Sequence, residues 1–424
     1  MRGVELSEEV DVVVVGGGAA GFFAAIAVAE SAPDARVMII EQSRQVLTKV
    51  RISGGGRCNV THHCFEPDEM ARNHYPRGDM ELIGPMYRFG PTQTVEWFQS
   101  RGVELKTESD GRMFPTTDDS QTIIDCLKGA AQNAGVEIRT SMAVEALRPP
   151  GVTGNGTGFE LVIDDGRHIE APAVLVATGG IRLSKSARLL DLMKHEPIDA
   201  RPSLFTFDID DDRIQGLQGI SVEPVSLAID VAGLNSRGPL LITHRGFSGP
   251  AVLEMSAWGA RELYNVEYRF ELCVDWLPDE RNVEQRLIEK RSAAGRRQVS
   301  TLSPFEHLPN RLWARLVTAA GVPEGCRWAS LPAKARRGLV DQLRRATFSV
   351  HGKSTHKEEF VTAGGVDTDE VDMRTMESRF HKGLYFAGEV LNLDGITGGF
   401  NFQSAWTTGF IAGSSIAQTL HSQG

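Results

Sequence analysis

Cysteine is scarce in this 424-residue sequence, with five residues at scattered positions and no C-x-x-C pair. The scarcity excludes a disulfide scaffold and favours a reducing, cytoplasmic compartment. Positive charge is not in excess either, because 45 Lys and Arg stand against 55 Asp and Glu, a formal net charge of −10. The overall charge gives no case for a nucleic-acid or membrane partner, and we expect a small-molecule substrate.

A secretory leader is not recognisable, since the first ten residues have neither a basic n-region nor an apolar h-region. The uncharged run at residues 12–29 has the length of a membrane span, but its consecutive glycines and small residues indicate a buried strand and helix. With 41% hydrophobic and 24% charged residues, the composition is that of a soluble globular protein of two or three domains.

Paired redox or metal-binding side chains are not recognisable. Five residues separate Cys58 from Cys64, without the pattern of flavin disulfide reductases, so we expect no transferable disulfide. His62, His63 and Cys64 have no second cluster at metal-ligand spacing, so we expect no metal site.

The strongest motif lies near the start of the chain. Val12 to Val15 form a β-branched run, typical of a buried parallel strand. Gly16, Gly18 and Gly21 then match G-x-G-x-x-G, which places a pyrophosphate at a helix N-terminus. Glu41 ends the next strand, where its carboxylate accepts bonds from ribose hydroxyls and repels a 2′-phosphate. These residues predict FAD or NAD rather than NADP.

A second glycine-rich segment, ISGGGRCN, covers residues 52–59. We interpret residues 42–63 as a loop whose backbone donors and cations approach a phosphate or a flavin edge. A flexible surface loop is the alternative. A later apolar strand, residues 173–177, ends in Thr178 and Gly179, and its position predicts a place near the same cofactor.

The end of the chain favours FAD over NAD. A short strand over residues 384–387 ends in Gly388 and Glu389, whose carboxylate can bind ribityl hydroxyls. The pair Gly398-Gly399 then opens a helix predicted over residues 401–420. Its N-terminal dipole would face the pyrimidine end of an isoalloxazine and stabilise the negative charge of a reduced flavin.

The pattern between these ends predicts a discontinuous α/β protein. We assign residues 1–200 and 346–424 to the cofactor domain, residues 201–277 to a β-rich insert and residues 278–345 to its helical part. The helical part has fourteen Lys and Arg against seven Asp and Glu, a local charge of +7. A solvated helical face is the favoured interpretation, and a basic surface for an anionic substrate or RNA is the alternative.

The chain resembles the BaiN/YhiN-like family of FAD-dependent flavoproteins. The matching pieces include GGGAAG at residues 16–21, ISGGGRCNVT at 52–61, THRGFSGP at 243–250, RTMES at 374–378 and LYFAGEVLNLDGITGGFNFQSA at 384–405. The resemblance implies an α/β fold: a glutathione-reductase-like, Rossmann-type FAD domain interrupted by an insert of β-barrel and helical parts. One departure is Asn392, where relatives often carry Asp.

The resemblance, with the turns described above, implies FAD contacts along most of the chain. The predicted cofactor-binding residues are Gly16, Gly18, Ala19, Ala20, Glu41, Gln42, Lys49, Gly54, Gly55, Arg57, Cys58, Asn59, Val144, Thr178, Gly179, Gly388, Glu389, Gly399, Asn401 and Phe402.

The leading hypothesis is an FAD-dependent oxidoreductase that transfers a hydride between flavin N5 and a small organic substrate. Family members are linked to reduction of conjugated double bonds and to amine oxidation, and the resemblance leaves both open. His244 and Arg112 are the candidates for polarising or protonating the substrate, a structural histidine and a solvated surface charge being the alternatives. Without a second nucleotide motif, NAD(P)H is expected only as a transient electron donor.

Three rival functions are considered. A succinate- or fumarate-type flavoprotein would carry a His-Gly pair soon after GE, and LNLDGITGG has none. An RNA-modifying flavoenzyme would use the basic helices of residues 278–345. A non-enzymatic sensor would bind FAD without turnover.

Overall fold

A computed structural model describes residues 8–151, 158–181, 188–190, 193–354 and 361–423. The chain forms two compact units: unit 1 comprises Met1–Pro202 and Lys357–Gly424, and unit 2 comprises Ser203–His356. The insert in our sequence analysis ends at residue 345, before strand Ala346–Val350. That strand pairs with Phe270–Asp275, so it belongs to the sheet of unit 2.

Unit 1 is built on a seven-stranded sheet whose core is parallel. Helices cover the parallel strands, so strand Val12–Val15 is buried along its whole length, as its valines predict. In spatial order the strands are Val371–Asp372, Glu377–Ser378, Leu384–Phe386, Ala173–Val176, Val12–Val15, Val37–Glu41 and Glu137–Thr140. Because the five parallel strands end at the same edge, the glycine-rich segments that follow four of them are brought together there.

Smaller sheets and seven helices complete the described part of unit 1. The sheets contain Glu8–Glu9, His168–Ala171, Phe159–Ile163 and Val144–Arg148; Thr61–His62, Arg112–Pro115 and Leu105–Thr107; and Ile198–Ser203 with Val361–Gly365. The helices are Ala19–Ser31, Thr48–Gly56, Pro67–His74, Ile83–Arg88, Pro91–Gln99, Ser120–Asn133 and Phe400–Gln423, with 3-10 turns at Thr368–Glu370 and Gly388–Val390.

The predicted loop over residues 42–63 is wrong in part, because it contains helix Thr48–Gly56. The helix is interrupted at residues 53–55, where the backbone leaves helical geometry. Val50 is fully buried, and the Ser120 hydroxyl donates to the Arg51 carbonyl at 2.8 Å. This packing against helix Ser120–Asn133 favours a helix that the local glycine content did not indicate.

Two helices of unit 1 approach closely along glycine and alanine. A Cβ at Gly409 would lie 2.6 Å from the Ala20 carbonyl oxygen, and one at Gly413 would lie 2.4 Å from that of Ala24. The C-terminal helix therefore needs glycine where it crosses helix Ala19–Ser31.

Unit 2 contains a seven-stranded antiparallel sheet and a helical part. The strands, in spatial order, are Ala346–Val350, Phe270–Asp275, Ser221–Ile229, Leu234–Ile242, Gly246–Ser248, Thr206–Asp208 and Gly352–Ser354. The helices are Pro250–Trp258, Ala260–Asn265, Val283–Ala293, Asn310–Ala319 and Ala333–Arg344, with 3-10 turns at Asp230–Ala232, Val299–Thr301 and Trp328–Ser330. Closure of the sheet into the implied β-barrel stays a prediction.

Within the described residues, the helices are too short or too polar to cross a bilayer. The uncharged run at residues 12–29 is divided between strand Val12–Val15 and helix Ala19–Ser31, as predicted. All five cysteines are free thiols.

Candidate functional site

The turn after the first buried strand has the geometry of a phosphate-binding motif. Gly16 has φ +116°, and a Cβ there would lie 2.3 Å from the Ala177 carbonyl oxygen. A Cβ at Gly21 would lie 2.0 Å from the Gly16 carbonyl oxygen. Gly18, by contrast, faces open space, with nothing within 4 Å. Two glycines thus close the turn, and the third leaves the backbone accessible at the helix N-terminus, where an anion is favoured.

Glu41 fixes this turn from the neighbouring strand. Its Oε2 accepts from the Gly17 amide at 2.8 Å, and its Oε1 accepts from the Ser43 amide at 2.7 Å. Because each carboxylate oxygen has a further lone pair, Glu41 keeps acceptor capacity for ribose hydroxyls. The predicted ribose contact is therefore compatible with a second task, which is to hold the glycine turn in shape.

The glycine triplet forms the second side of the site. Gly54 and Gly55 have φ +58° and +70°, and Gly55 faces open space within 4 Å. Cys58 follows with φ +61°, and its amide donates to the Ser53 carbonyl at 3.0 Å. Burial raises the pKa of the Cys58 thiol to about 12. Since the thiolate is the reactive form, Cys58 is an inert buried thiol at neutral pH.

A carboxylate from the end of the chain meets a cation from its start. Lys49 and Glu389, 340 positions apart, form an ion pair. Glu389 Oε1 also accepts from the Thr362 amide at 2.9 Å, and a Cβ at Gly180 would lie 2.7 Å from this oxygen. Glu389 therefore joins the segment before the glycine triplet to the segment that follows strand Ala173–Val176.

Two buried polar atoms at the site have no hydrogen-bond partner among the described residues: Thr178 Oγ1 and Asn59 Oδ1. Buried polar atoms are normally paired, so each such atom calls for an explanation. Thr178 lies beside Gly16, where its Cα would be 3.1 Å from an added Cβ. A dinucleotide is rich in hydroxyl, amide and phosphate groups and could therefore supply hydrogen-bond partners for both atoms.

The second glycine pair closes the site at the start of the C-terminal helix. Gly399 has φ +99°, and a Cβ there would lie 2.6 Å from the Thr61 carbonyl oxygen and 2.9 Å from Asn59 Oδ1. The turn consequently packs on the segment after the glycine triplet. Helix Phe400–Gln423 begins at once, and its N-terminus contributes a partial positive charge.

Asn401 and Phe402 have structural partners of their own. The Asn401 side chain accepts from the Gly395 amide at 2.9 Å and donates to the Gly395 carbonyl at 2.8 Å. Phe402 is half-buried and stacks on Trp406, with ring centroids 5.6 Å apart. Both residues shape the helix start, and their contact with the cofactor stays a prediction.

Arg112 lies beside Arg57, the cation of the glycine-rich segment. Glu108 bridges them, at 2.6 Å from Arg57 Nη1 and 3.1 Å from Arg112 Nη2. Both guanidinium groups lie over the Phe114 ring, at 4.0 Å and 5.4 Å from its centroid. The hydrogen bond to Glu108 raises the pKa of Arg57. Asp110 pairs with Arg112 Nε at 2.7 Å, so the Arg112 charge is locally compensated and its orientation is fixed.

The remaining predicted contacts are spread over unit 1. Ala19 and Ala20 open the first helix, and a Cβ at Gly388 would lie 2.8 Å from the Ala20 Cβ. Val144 is buried at the start of its strand, whereas the Gln42 side chain is exposed. Of these residues, Gly388 and the two alanines lie at the glycine turn.

His244 lies in unit 2, in the turn between strands Leu234–Ile242 and Gly246–Ser248. Its side chain is exposed, and the Thr243 hydroxyl closes the turn by donating to the Gly246 carbonyl at 3.1 Å. A role for His244 in catalysis stays a prediction.

Sequence reasoning missed several polar residues that hold the site together. Gln403 accepts from the Thr61 hydroxyl at 2.6 Å while fully buried. His62 Nδ1 lies 3.0 Å from the Gly398 carbonyl, its ring stacks on Phe400, and burial lowers the pKa of His62. Being neutral, His62 donates from Nδ1 to this carbonyl. The available signal was the presence of polar side chains inside two otherwise apolar, glycine-rich motifs.

Comparison with known proteins gives matches over nearly the whole chain. The family model described as "HI0933-like protein Rossmann domain" matches residues 10–415. The chain is 30% identical over 430 residues to the 3-dehydro-bile acid delta(4,6)-reductase of Clostridium scindens, covering 96% of this chain and 98% of that protein. It is 29% identical over 413 residues to the ribosomal RNA dihydrouridine synthase of Escherichia coli, covering 95% and 96%.

Among solved structures, the chain is similar to the 3-ketosteroid-delta4-(5alpha)-dehydrogenase of Rhodococcus jostii RHA1. The TM-score is 0.55 at 15% identity, and the match covers 98% of each chain. At this identity the likeness concerns the fold alone, which is a Rossmann-type domain with mixed α/β sheets.

Proposed function

This chain belongs to the HI0933-like family, and from that premise we propose that it reduces a carbon–carbon double bond conjugated to a carbonyl group. The observation that carries the proposal is the chemistry shared by two relatives that match over nearly their whole length. The name of one specifies double bonds conjugated to a 3-oxo group, and the product of the other is uridine with its C5–C6 double bond reduced. Both reactions add two hydrogen atoms across an electron-poor double bond.

The predicted BaiN/YhiN-like relationship is confirmed, and the chain is an FAD-dependent oxidoreductase. When bound, reduced FAD supplies the hydride equivalent for such a reduction. We assign its binding to a site in unit 1 that we call the cradle, formed by the first glycine turn, Glu41, Asn59 and the Gly399 turn. The glycine turn and Glu41 are assigned to the adenosine half, and Asn59 and the Gly399 turn to the ring.

The chain must also manage the charge that a conjugate reduction places on the carbonyl oxygen. We assign this task to Arg112, because Glu108 and Asp110 fix its guanidinium beside the glycine-rich segment. A proton must then reach the α-carbon, and His244 stays the candidate donor. We also propose that NAD(P)H binds transiently and reduces the bound FAD.

The proposal is tested by single-turnover re-oxidation. Purified holoprotein is photoreduced without oxygen and mixed with a steroid 4,6-dien-3-one or with uridine-containing RNA, while the flavin absorbance band is followed. We expect at least one substrate to restore the band and to gain two hydrogen atoms by mass spectrometry. Holoprotein that neither substrate re-oxidises would refute the conjugate-reductase function.

Arg112→Gln provides the site test within that assay. We expect slower re-oxidation with unchanged FAD content, since a carbonyl-binding cation is lost. Arg167→Gln is the matched control, because Arg167 is also paired with an aspartate two residues away, Asp165. Equal rates for the two variants would remove Arg112 from the reaction. Separate anaerobic titrations with NADH and NADPH show which of them, if either, reduces the bound FAD.

A further inference from the structure

We propose that a cavity in unit 1 binds the adenosine 2′-phosphate of NADPH. Arg44, Arg51 and Lys128 are among the residues that line this cavity, which we call the basic cavity. The inference rests on the proposed function, in which NAD(P)H reduces the bound FAD. It deepens that function by naming NADPH, and not NADH, as the electron donor.

The basic cavity is formed where two neighbouring parallel strands end. Strands Val37–Glu41 and Glu137–Thr140 pair in parallel, and Thr140, the last residue of the second strand, lines the cavity. Val46, shortly after the first strand, and Ile138 add apolar surface, and the volume is about 340 Å³. Ligands of open α/β sheets bind at the carboxyl ends of the strands, and ligand pockets begin at about 300 Å³. The position and the size of the cavity therefore suit a nucleotide fragment.

Three cations converge on the basic cavity from three different elements. Arg44 lies in the segment after the first strand, Arg51 in helix Thr48–Gly56 and Lys128 in helix Ser120–Asn133. Among the described residues, none of the three cations is ion-paired, and the cavity lining contains no carboxylate. Basic residues without an ion pair also occur elsewhere in the chain, but these three line one common volume. The cavity therefore attracts an anion.

Arg51 has a buried hydrogen-bond donor that lacks a partner. Its Nη1 donates to Gln121 Oε1 at 2.7 Å, and Gln121 Nε2 donates in turn to Asp125 Oδ1 at 2.6 Å, which fixes the orientation of the amide. Arg51 Nε is buried and has no hydrogen-bond partner among the described residues. A half-buried guanidinium group without a carboxylate is costly, because its desolvation is not offset. An anionic ligand in the cavity would offset that cost.

A phosphate monoester matches this set of cations. It carries a charge of about −1.5 to −2 at pH 7 and three acceptor oxygens, and guanidinium groups bind it in a bidentate manner. NADPH has such a group on its adenosine ribose, where NADH has a neutral hydroxyl.

The neighbouring glycine turn is not suited to that phosphate. Glu41 places a carboxylate at this turn, which repels a 2′-phosphate, and we have assigned the turn to FAD. The Leu47 amide donates to the Gly17 carbonyl at 2.8 Å, so the segment that contains Arg44 begins and ends beside the turn. NADPH therefore has a phosphate site in the same region of unit 1 that does not compete with FAD.

The binding test uses full-length holoprotein, in which FAD occupies its own site, and isothermal titration calorimetry at low ionic strength. The probes are 2′,5′-ADP, 5′-AMP, which lacks the 2′-phosphate, and inorganic phosphate. We expect 2′,5′-ADP to bind about tenfold or more tightly than either of the others, because its 2′-phosphate accepts charge-assisted hydrogen bonds. R44Q/K128Q should remove most of this difference and leave the affinity for 5′-AMP unchanged. Arg51 is retained in this variant because its bond to Gln121 joins two helices.

The kinetic test follows the reduction of FAD by stopped flow without oxygen. In R44Q/K128Q, the NADPH concentration that gives the half-maximal rate should rise about tenfold or more, whereas the limiting rate and the reaction with NADH stay unchanged. R281Q/K334Q is the matched control, since it removes the same two charges from exposed positions in unit 2, and it should behave like the wild type.

FAD content and thermal midpoint establish that each variant is folded, and if the double variant loses FAD, R44Q and K128Q are measured singly. Equal affinity of the wild type for 2′,5′-ADP and 5′-AMP, binding of inorganic phosphate as tight as that of 2′,5′-ADP, or an equal loss in variant and control would overturn the inference. Binding of 2′,5′-ADP that depends on Arg44 and Lys128, without reduction of FAD by NADPH, would instead count against the proposed electron donor and leave the phosphate site intact.

Discussion

At the scale of single residues, Glu41 shows how one carboxylate serves two purposes. It holds the glycine turn through the Gly17 amide, and its remaining lone pairs keep acceptor capacity for ribose hydroxyls. Thr178 Oγ1 and Asn59 Oδ1 differ from Glu41, because these buried atoms have no hydrogen-bond partner among the described residues. Their lack of partners supports the assignment of a dinucleotide to the cradle.

We expect Glu41→Ala to weaken FAD binding by about 1–3 kcal/mol, because hydrogen bonds to ribose hydroxyls and to the turn are both lost. The dissociation constant is measured by titrating apoprotein with FAD and following quenching of flavin fluorescence. Glu41→Gln, which keeps one acceptor oxygen, should lie between alanine and the wild type. An unchanged affinity in Glu41→Ala would remove this residue from the ribose site.

Cys58 gives a pH prediction. Burial raises its thiol pKa from 9.0 to about 12, so the folded protein binds this proton more tightly than the unfolded chain. The stability due to this difference is present below pH 9 and is lost as the pH rises toward 12. The thermal midpoint of wild type should therefore fall more steeply above pH 9 than that of Cys58→Ala. Parallel pH profiles would show that the thiol is not buried as described.

At the scale of elements, the contact between the first and last helices depends on glycine. Gly413→Ala places a Cβ 2.4 Å from the Ala24 carbonyl oxygen, and the overpacking should lower the free energy of unfolding by about 1–3 kcal/mol. Gly129→Ala is the matched control in helix Ser120–Asn133, where nothing lies within 4 Å of the added Cβ. It should leave stability unchanged or raise it by about 1 kcal/mol. Urea unfolding measures both, and a neutral Gly413→Ala would argue against the close helix crossing.

The pairing of strands also decides which predicted catalytic residue lies beside the glycine-rich segment. Arg112 and Arg57 meet because strand Arg112–Pro115 pairs with strand Thr61–His62, which follows the glycine triplet. Arg112 is thus held beside Arg57, a predicted cofactor-binding residue, whereas His244 lies in a turn of unit 2 and its role stays a prediction.

At the scale of the whole molecule, bound FAD should raise the free energy of unfolding. In the proposed assignment, the FAD site is assembled from segments of unit 1 that begin at Gly16 and end at Phe402, so that removal of FAD would leave glycine turns and buried polar atoms without a ligand. We expect FAD at a hundred times its dissociation constant to stabilise the apoprotein by about 2.7 kcal/mol. Thermal unfolding of apoprotein with and without FAD measures the effect.

FMN is the matched ligand for this experiment, because it lacks the adenosine half that Glu41 and the first glycine turn are assigned to bind. It should stabilise the apoprotein less than FAD does at the same concentration. Equal stabilisation by the two flavins would contradict the assignment of the glycine turn to the dinucleotide.

The sequence by itself determined the features that depend on neighbouring residues. The β-branched run before Gly16, the spacing of Gly16, Gly18 and Gly21, and the glycine pair before the last helix are local patterns, and local backbone geometry follows from them. The two ends of one discontinuous domain were predicted because both carried parts of the same cofactor motif. The family, FAD and the oxidoreductase class followed from those motifs.

The tertiary structure decided what depends on contacts between distant residues. It placed Glu108 between Arg57 and Arg112, buried Gln403 against Thr61, and turned part of a predicted loop into helix Thr48–Gly56 through the packing of Val50. It also paired residues 295–298 with 327–329 through backbone hydrogen bonds. These partners cannot be predicted from residue spacing, because side-chain pairing depends on how distant strands and helices pack against each other.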